Sequence, residues 1–166
     1  MKTETIFAID PGAQESAWVQ YDVRGDIPTR EFGKQGNAEV REMVRSLDDT
    51  HRLVVEMVGH YGTGMAVGAT IFDTCVWIGR FLEAWDSTHG VPGAVMLRKT
   101  AVTHACGTPR GSDSNVRQAM IDRWEPDLQP RCRPKGVLRD MTADVFQALA
   151  LAAAYAELRL TAEKDA

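Results

Sequence analysis

The chain has 166 residues, of which 44% are hydrophobic and 25% charged, with a formal net charge of −4. That is the composition of one folded domain with a proper core, and no apolar run is long enough to cross a bilayer. Cys75, Cys106 and Cys132 are an odd set without close spacing, which gives no support to a disulfide framework or a zinc knuckle.

The opening Met1-Lys2-Thr3-Glu4 lacks the apolar stretch of a signal peptide, so a cytoplasmic protein is expected. Charge is unevenly spread. Arg98, Lys99, Arg110, Arg117, Arg123, Arg131, Arg133, Lys135 and Arg139 outnumber Asp113, Asp122, Glu125 and Asp127 in the same stretch. A local basic excess is either a solvated surface or a phosphate-binding face, and both readings stay open.

Residues 5–9 are an apolar run that can be buried on both faces, as in a central strand. The run ends in Asp10-Pro11-Gly12, where Pro fixes φ and Gly permits φ > 0, so a turn follows at once. Asp10 either caps that turn or, at the end of a buried strand, requires a cation or strong donors. Residues 16–22 alternate as a second strand, 24–26 form a turn, and 29–32 read as a short third strand closing a meander. A helix is expected over 37–47 with Asn37 as N-cap and Val40, Met43, Val44 and Leu47 at helical spacing.

The strand at 51–58 repeats the logic of the first. Leu53-Val54-Val55 is apolar and is followed by a lone carboxylate, Glu56. A glycine-rich loop, 59–64, carries His60 and Tyr61. Residues 65–85 read as a largely buried helix with Asp73 and Arg80 on its wet edge, and Cys75 as a buried small hydrophobe. Residues 93–97 are a short buried strand ending in Arg98-Lys99, and 106–114 a loop. Ser112 or Ser114 caps a helix running to 123 or 124, residues 125–136 are irregular, and a final helix spans about 142–160. Meander, then alternating strands and helices, predicts a mixed sheet with helices on its faces.

On the last helix Asp140, Asp144 and Gln147 are spaced to share one face. A carboxylate at a helix start is ordinary, which accounts for Asp140 better than for Asp144. Asp10, Glu56 and Asp144 thus come from two buried strands and one packed helix. Carboxylates gathered this way repel one another unless a cation joins them, and hard oxygen ligands suit Mg²⁺ or Mn²⁺.

Asp-Pro-Gly after a first strand, an isolated Glu ending the fourth, and a late Asp144-Val145-Phe146-Gln147-Ala148-Leu149-Ala150 helix resemble the RuvC family of Holliday junction resolvases. Gly79, Lys99-Thr100-Ala101-Val102, and the loop 107–114 followed by Val116 fit the same order. The chain is similar to the shorter, phage-type members, which implies a bacterial or phage-infected host.

The resemblance implies an RNase H-like (retroviral integrase-like) α/β fold over residues 1–166, with a mixed five-stranded sheet and helices on both faces. It further implies a homodimer that cuts four-way or branched DNA junctions symmetrically with two Mg²⁺ or Mn²⁺ ions. Asp10, Glu56 and Asp144 would be ligands. Gln147 stands where the family has an acid and is neutral, with Asp140 as a substitute. Lys99 matches a basic residue near the scissile phosphate. The second basic position falls at Asp113, which passes its role to Arg110 or Arg117, with Arg98 also on the DNA side. Tyr61, with His60 beside it, is the candidate for stacking on junction bases, or else packs under its own loop. The long helix 65–85 would supply the dimer face.

Two alternatives stand beside this reading. Gln147 motivates a branched-DNA-binding protein on the same fold that cuts weakly or not at all. An Asp-x-Gly strand turn also opens phosphoryl-transfer proteins of the actin and sugar-kinase type, but those need two such domains. His104 is either a surface residue or a group that helps activate water.

Overall fold

The computed structural model describes residues 4–24, 31–59, 68–129 and 132–164. Its elements are β1 (Thr5–Asp10), β2 (Glu15–Asp22), β3 (Glu31–Gly36), α1 (Asn37–Ser46), β4 (His51–Met57), α2 (Ala69–His89), β5 (Ala94–Leu97), α3 (Arg98–Cys106), α4 (Asp113–Trp124) and α5 (Ala143–Lys164). The sheet order is β3-β2-β1-β4-β5. β1, β2 and β3 pair antiparallel as a meander, while β4 and β5 add in parallel on the other side of β1.

Strand alternation divides the core in two. Ile6 and Ala8 of β1 and Val54 of β4 pack with α3, α4 and the alanine-rich side of α5. Phe7 and Ile9 of β1 and Leu53 and Val55 of β4 pack with α1 and α2, where Phe7 stacks on Trp18. Both faces of β1 and β4 are buried, which is why these strands read as continuous apolar runs. In α5, Ala148, Ala150, Ala152, Ala153, Ala154 and Ala156 are all buried. Small side chains let this helix lie close along the sheet.

The turn after Asp10 is built differently from expectation. Gly12 is not at positive φ. It is required because a Cβ there would run into the carbonyl oxygen of Glu15. Asn37 is not a cap either; Gly36 occupies that position. Instead the buried Asn37 amide donates to the Gly12 carbonyl (2.9 Å) and accepts from the Ser16 hydroxyl (2.6 Å). One side chain thereby ties the β1–β2 turn to the start of α1.

Three further expectations are corrected. Residues 98–106 form a helix, α3, that starts directly after β5 with no side-chain cap. Cys75 is exposed, because it lies on the outer side of α2. That helix is half-buried rather than buried: Ile78, Phe81, Ala84 and Trp85 face the core, while Phe72 and Val76 are 63% and 52% exposed. Asp73 and Arg80 are exposed as expected. Ser112 does cap α4, in a capping box with Asn115. Among the described residues no helix is long and apolar enough to cross a membrane.

Candidate active site

Register brings the first two acids together. Ile9 pairs with Val55 in the parallel β1–β4 ladder, so Asp10 and Glu56 lie side by side at the ends of adjacent strands. By alternation both belong to the face covered by α5. The C-terminal edge of parallel strands is where open α/β sheets form their crevices. Here a cleft of about 370 Å³ is lined by Asp10, Glu56, Gly59, Thr74, Arg98 and Asp113, among others.

Burial, then the charge of Asp144, pushes the Asp10 carboxyl up from its ordinary 3.8 to about 7. Burial, then the charge of Asp10, pushes Glu56 up from 4.5 to about 8. Arg98 works against both shifts. Its guanidinium ion-pairs with Asp113, the first residue of α4, and stands 3.9 Å from Glu56. Among the described residues, Arg98 and the more distant Lys34 therefore offset only part of the rise.

Asp144 sits in the first turn of α5, near enough for its charge to reach Asp10. Its carboxylate accepts a 2.7 Å ion-paired hydrogen bond from Lys34 of β3. Gln147 lies one turn further along the same helix face, buried, and its Nε2 has no hydrogen-bond partner. An orphaned buried amide one turn from Asp144 is a costly feature.

This donor set fits a divalent cation in part. Two desolvated, mutually repelling carboxylates are what a hard cation relieves. Asp10 and Glu56 could hold it, with the Gln147 carbonyl as a neutral oxygen donor. Among the described residues, however, no three His, Cys, Asp or Glu side chains converge tightly enough to form a ready ligand cluster. The third acid is engaged by Lys34.

The structure separates other residues that the sequence grouped. Asp140 precedes α5 and adopts positive φ (65°), so it does not share a helix face with Asp144. It lines a different cleft, with Arg117, Arg133 and Arg139. Lys99 follows Arg98 into α3 but lines a third cleft, with Thr100, Thr103, His104 and Leu158. Arg98, not Lys99, borders Asp10 and Glu56. Arg110 is exposed on the α3–α4 connection.

His60 and Tyr61 lie outside the described residues. His104 contacts Glu157 at 2.7 Å, and Arg123 also pairs with that carboxylate. This group braces the far part of α5 rather than the acids. Lys34 was missed, because a lysine in a glycine-containing edge strand gives no local sign of a partner 110 residues away.

A mixed five-stranded sheet with helices on both faces is the RNase H-like α/β arrangement. Two solved structures carry the same fold: RuvC of Thermus thermophilus, and T. thermophilus RuvC in complex with Holliday junction substrate. They superpose with TM-scores of 0.64 and 0.68 at 15% and 16% identity, each covering 95% of this chain and 96% of the other. No family model matches the sequence, and no curated protein is significantly similar to it.

Proposed function

We propose that the protein is a divalent-metal-dependent endodeoxyribonuclease that resolves four-way or branched DNA junctions. The observation that carries this is the pair Asp10 and Glu56, desolvated side by side at the mouth of a polar cleft. The shared fold with a RuvC bound to a Holliday junction supports the substrate.

Asp10 and Glu56 act as oxygen ligands of a Mg²⁺ or Mn²⁺ ion, with Asp144 as a third once Lys34 releases it. Two such ions, when bound, make water nucleophilic at neutral pH and offset charge on the phosphoryl oxygens. Arg98 orients the scissile phosphate; its guanidinium already borders both acids. Lys99, from the adjacent position of α3, and Arg110 contact the strand beyond. His60 and Tyr61 meet the unpaired bases.

The test is incubation of a labelled four-way junction and a matched linear duplex with Mg²⁺, Mn²⁺ or EDTA. Paired symmetric nicks in the junction alone, absent in EDTA, are expected. No binding and no product would end the proposal. A second reading, a branched-DNA-binding protein that cuts weakly or not at all, is favoured by the buried neutral Gln147. A retarded but intact junction in Mg²⁺ and Mn²⁺ would select it.

Symmetric cutting requires two sites, and we place the dimer contact on α2. Phe72 and Val76, four residues apart, give that helix an exposed apolar strip. Phe72→Glu is expected to convert a dimer to a monomer in sedimentation while leaving Mn²⁺ binding unchanged. A variant that sediments as wild type would remove α2 from the contact.

A further inference from the structure

A cleft of about 360 Å³ is lined by Arg117, Arg133, Pro134, Leu138, Arg139, Asp140 and Met141. Its floor is Leu138, fully buried in the core under α5. The approach to α5 that forms one wall is held by a single carboxylate. Glu125 accepts hydrogen bonds from the backbone amides of Lys135, Gly136 and Leu138 at 3.1, 3.1 and 3.2 Å. The opposite wall is Arg117 of α4, whose guanidinium lies 5.4 Å from the Phe146 ring centroid.

Three guanidinium groups thus share a shaped concavity in a chain whose net charge is negative. Asp140 is the carboxylate among the lining residues, and it is mostly exposed beside its neighbour Arg139 at 3.4 Å. Among the described residues, Arg117 and Arg133 have no carboxylate partner. Three arginines beside one carboxylate keep a net positive charge and can donate to the two non-bridging oxygens of a phosphodiester, since each planar fork can donate twice. Solvated surface arginines do not require an anchored wall and floor. This group has both.

Position ties the cleft to the acidic one. Asp113 lines the Asp10–Glu56 cleft and Arg117 lines this one, four residues later on the same face of α4. Four residues advance a helix by about 6 Å. That is roughly two nucleotides at the 3.4 Å rise per strand charge of B-form DNA. Phe146, under Arg117, lies between Asp144 and Gln147 on α5.

We propose that the Arg117–Arg133–Arg139 cleft is a second anion site that seats a backbone phosphodiester flanking the phosphate at Asp10 and Glu56. It rests on the nuclease reading and adds to it a fixed register for the strand: one phosphate at the acids, another held beyond them. Because the contacts are to phosphate, the site sets position and affinity without reading sequence.

The experiment is a salt titration of four-way junction binding in Ca²⁺, comparing the native chain with Arg133→Ala/Arg139→Ala, both exposed positions. Each lost phosphate contact lowers the slope of log K against log salt by about 0.9, so loss of the one phosphate seated here is expected to lower it by about 0.9. At 0.15 M salt this is roughly a fivefold loss of affinity by counterion release alone. Arg133→Lys/Arg139→Lys, which keeps the charge, should retain most of the slope.

Repeating the native titration without Ca²⁺, in inorganic phosphate at constant ionic strength, separates the two sources of a phosphate. Competition that is lost in the alanine variant supports the backbone contact, and saturable phosphate binding to these arginines that leaves junction affinity unchanged would make this a free-phosphate site and overturn it. An unchanged slope in the alanine variant would also overturn it. Absence of any junction binding by the native chain would instead mark failure of the nuclease reading, and this inference would fall with it.

Discussion

Asp10→Asn is expected to abolish metal-dependent junction cleavage and at the same time to stabilise the metal-free protein. A ligand that positions the ion contributes several kcal/mol to the transition state, so activity should fall by about a thousandfold or more. The stability effect has the opposite sign. Asp10 and Glu56 hold their protons in the fold to about pH 7 and 8, against ordinary values of 3.8 and 4.5.

The folded chain therefore binds more protons than the unfolded chain across that interval, and stability falls as pH rises from about 4 to 8. Above pH 8 the full cost of two crowded carboxylates is present. Removing one recovers about 2 kcal/mol, since a desolvated charge costs that order even after relaxation. In a chain of this length the melting temperature at pH 8 should rise by roughly 4–8 °C. At pH 3, below both ordinary values, the folded and unfolded states are largely protonated and the variant should melt close to the native protein. A variant that melts lower at pH 8 would show that Asp10 is structurally satisfied rather than strained.

Gln147→Asp is the converse experiment. It adds a fourth carboxylate to Asp10, Glu56 and Asp144, on the same helix face as Asp144, and replaces an amide whose nitrogen is unpartnered. Without metal, the added carboxylate has no cation to meet, so the melting temperature at pH 8 should fall by several degrees. With metal, one more anionic ligand should tighten Mn²⁺ binding by tenfold or more, about 1.4 kcal/mol. Calorimetric titration of the DNA-free protein reads that directly. If the native chain binds junctions without cutting and Gln147→Asp cuts them, the branched-DNA-binding reading is right. If Mn²⁺ affinity is unchanged, Gln147 does not face the ion, and the orphaned amide is a packing defect only.

The two strands that carry these acids were legible because each is an apolar run buried on both faces and ended by one charged residue. Asp10 and Glu56 needed no tertiary information. Their adjacency follows from parallel pairing of β1 with β4, which the expected mixed sheet allowed without specifying. Asp144 was legible as an acid inside a core-facing helix, but its partner was not. Lys34 lies in Glu31–Gly36, a strand with two glycines and no apolar periodicity, so nothing local marks it.

Where the sequence misled, the reason is again local. α3 begins without a capping side chain and with Arg98-Lys99-Thr100, so neither cap nor apolar stripe announces it. Asp140 fits the spacing of α5 on paper, yet a left-handed backbone at that residue breaks the chain before the helix begins. The apolar residues of α2 were assigned to the core on composition. Phe72, Cys75 and Val76 instead face outward, on the helix whose excess apolar surface had already marked it as a candidate dimer face.

The bracing of α5 also bears on how this site tolerates change at a distance. The helix is a stiff rod of 22 residues laid on small side chains. Its far part is pinned by Glu157 to His104 and Arg123, and by Arg159 to Glu4 at 2.9 Å. Asp144 lies 13 residues from Glu157, about 20 Å along the axis. A rod of that length pivoting by about 3° at the pinned end swings its tip by about 1 Å, and a displacement of that size at a reacting centre can cost about a hundredfold in rate. On the proposed nuclease reading, the helix would convert small angular errors at its base into positional errors at the acids, and the surface around Glu157 would share in tuning that centre with the residues that line it.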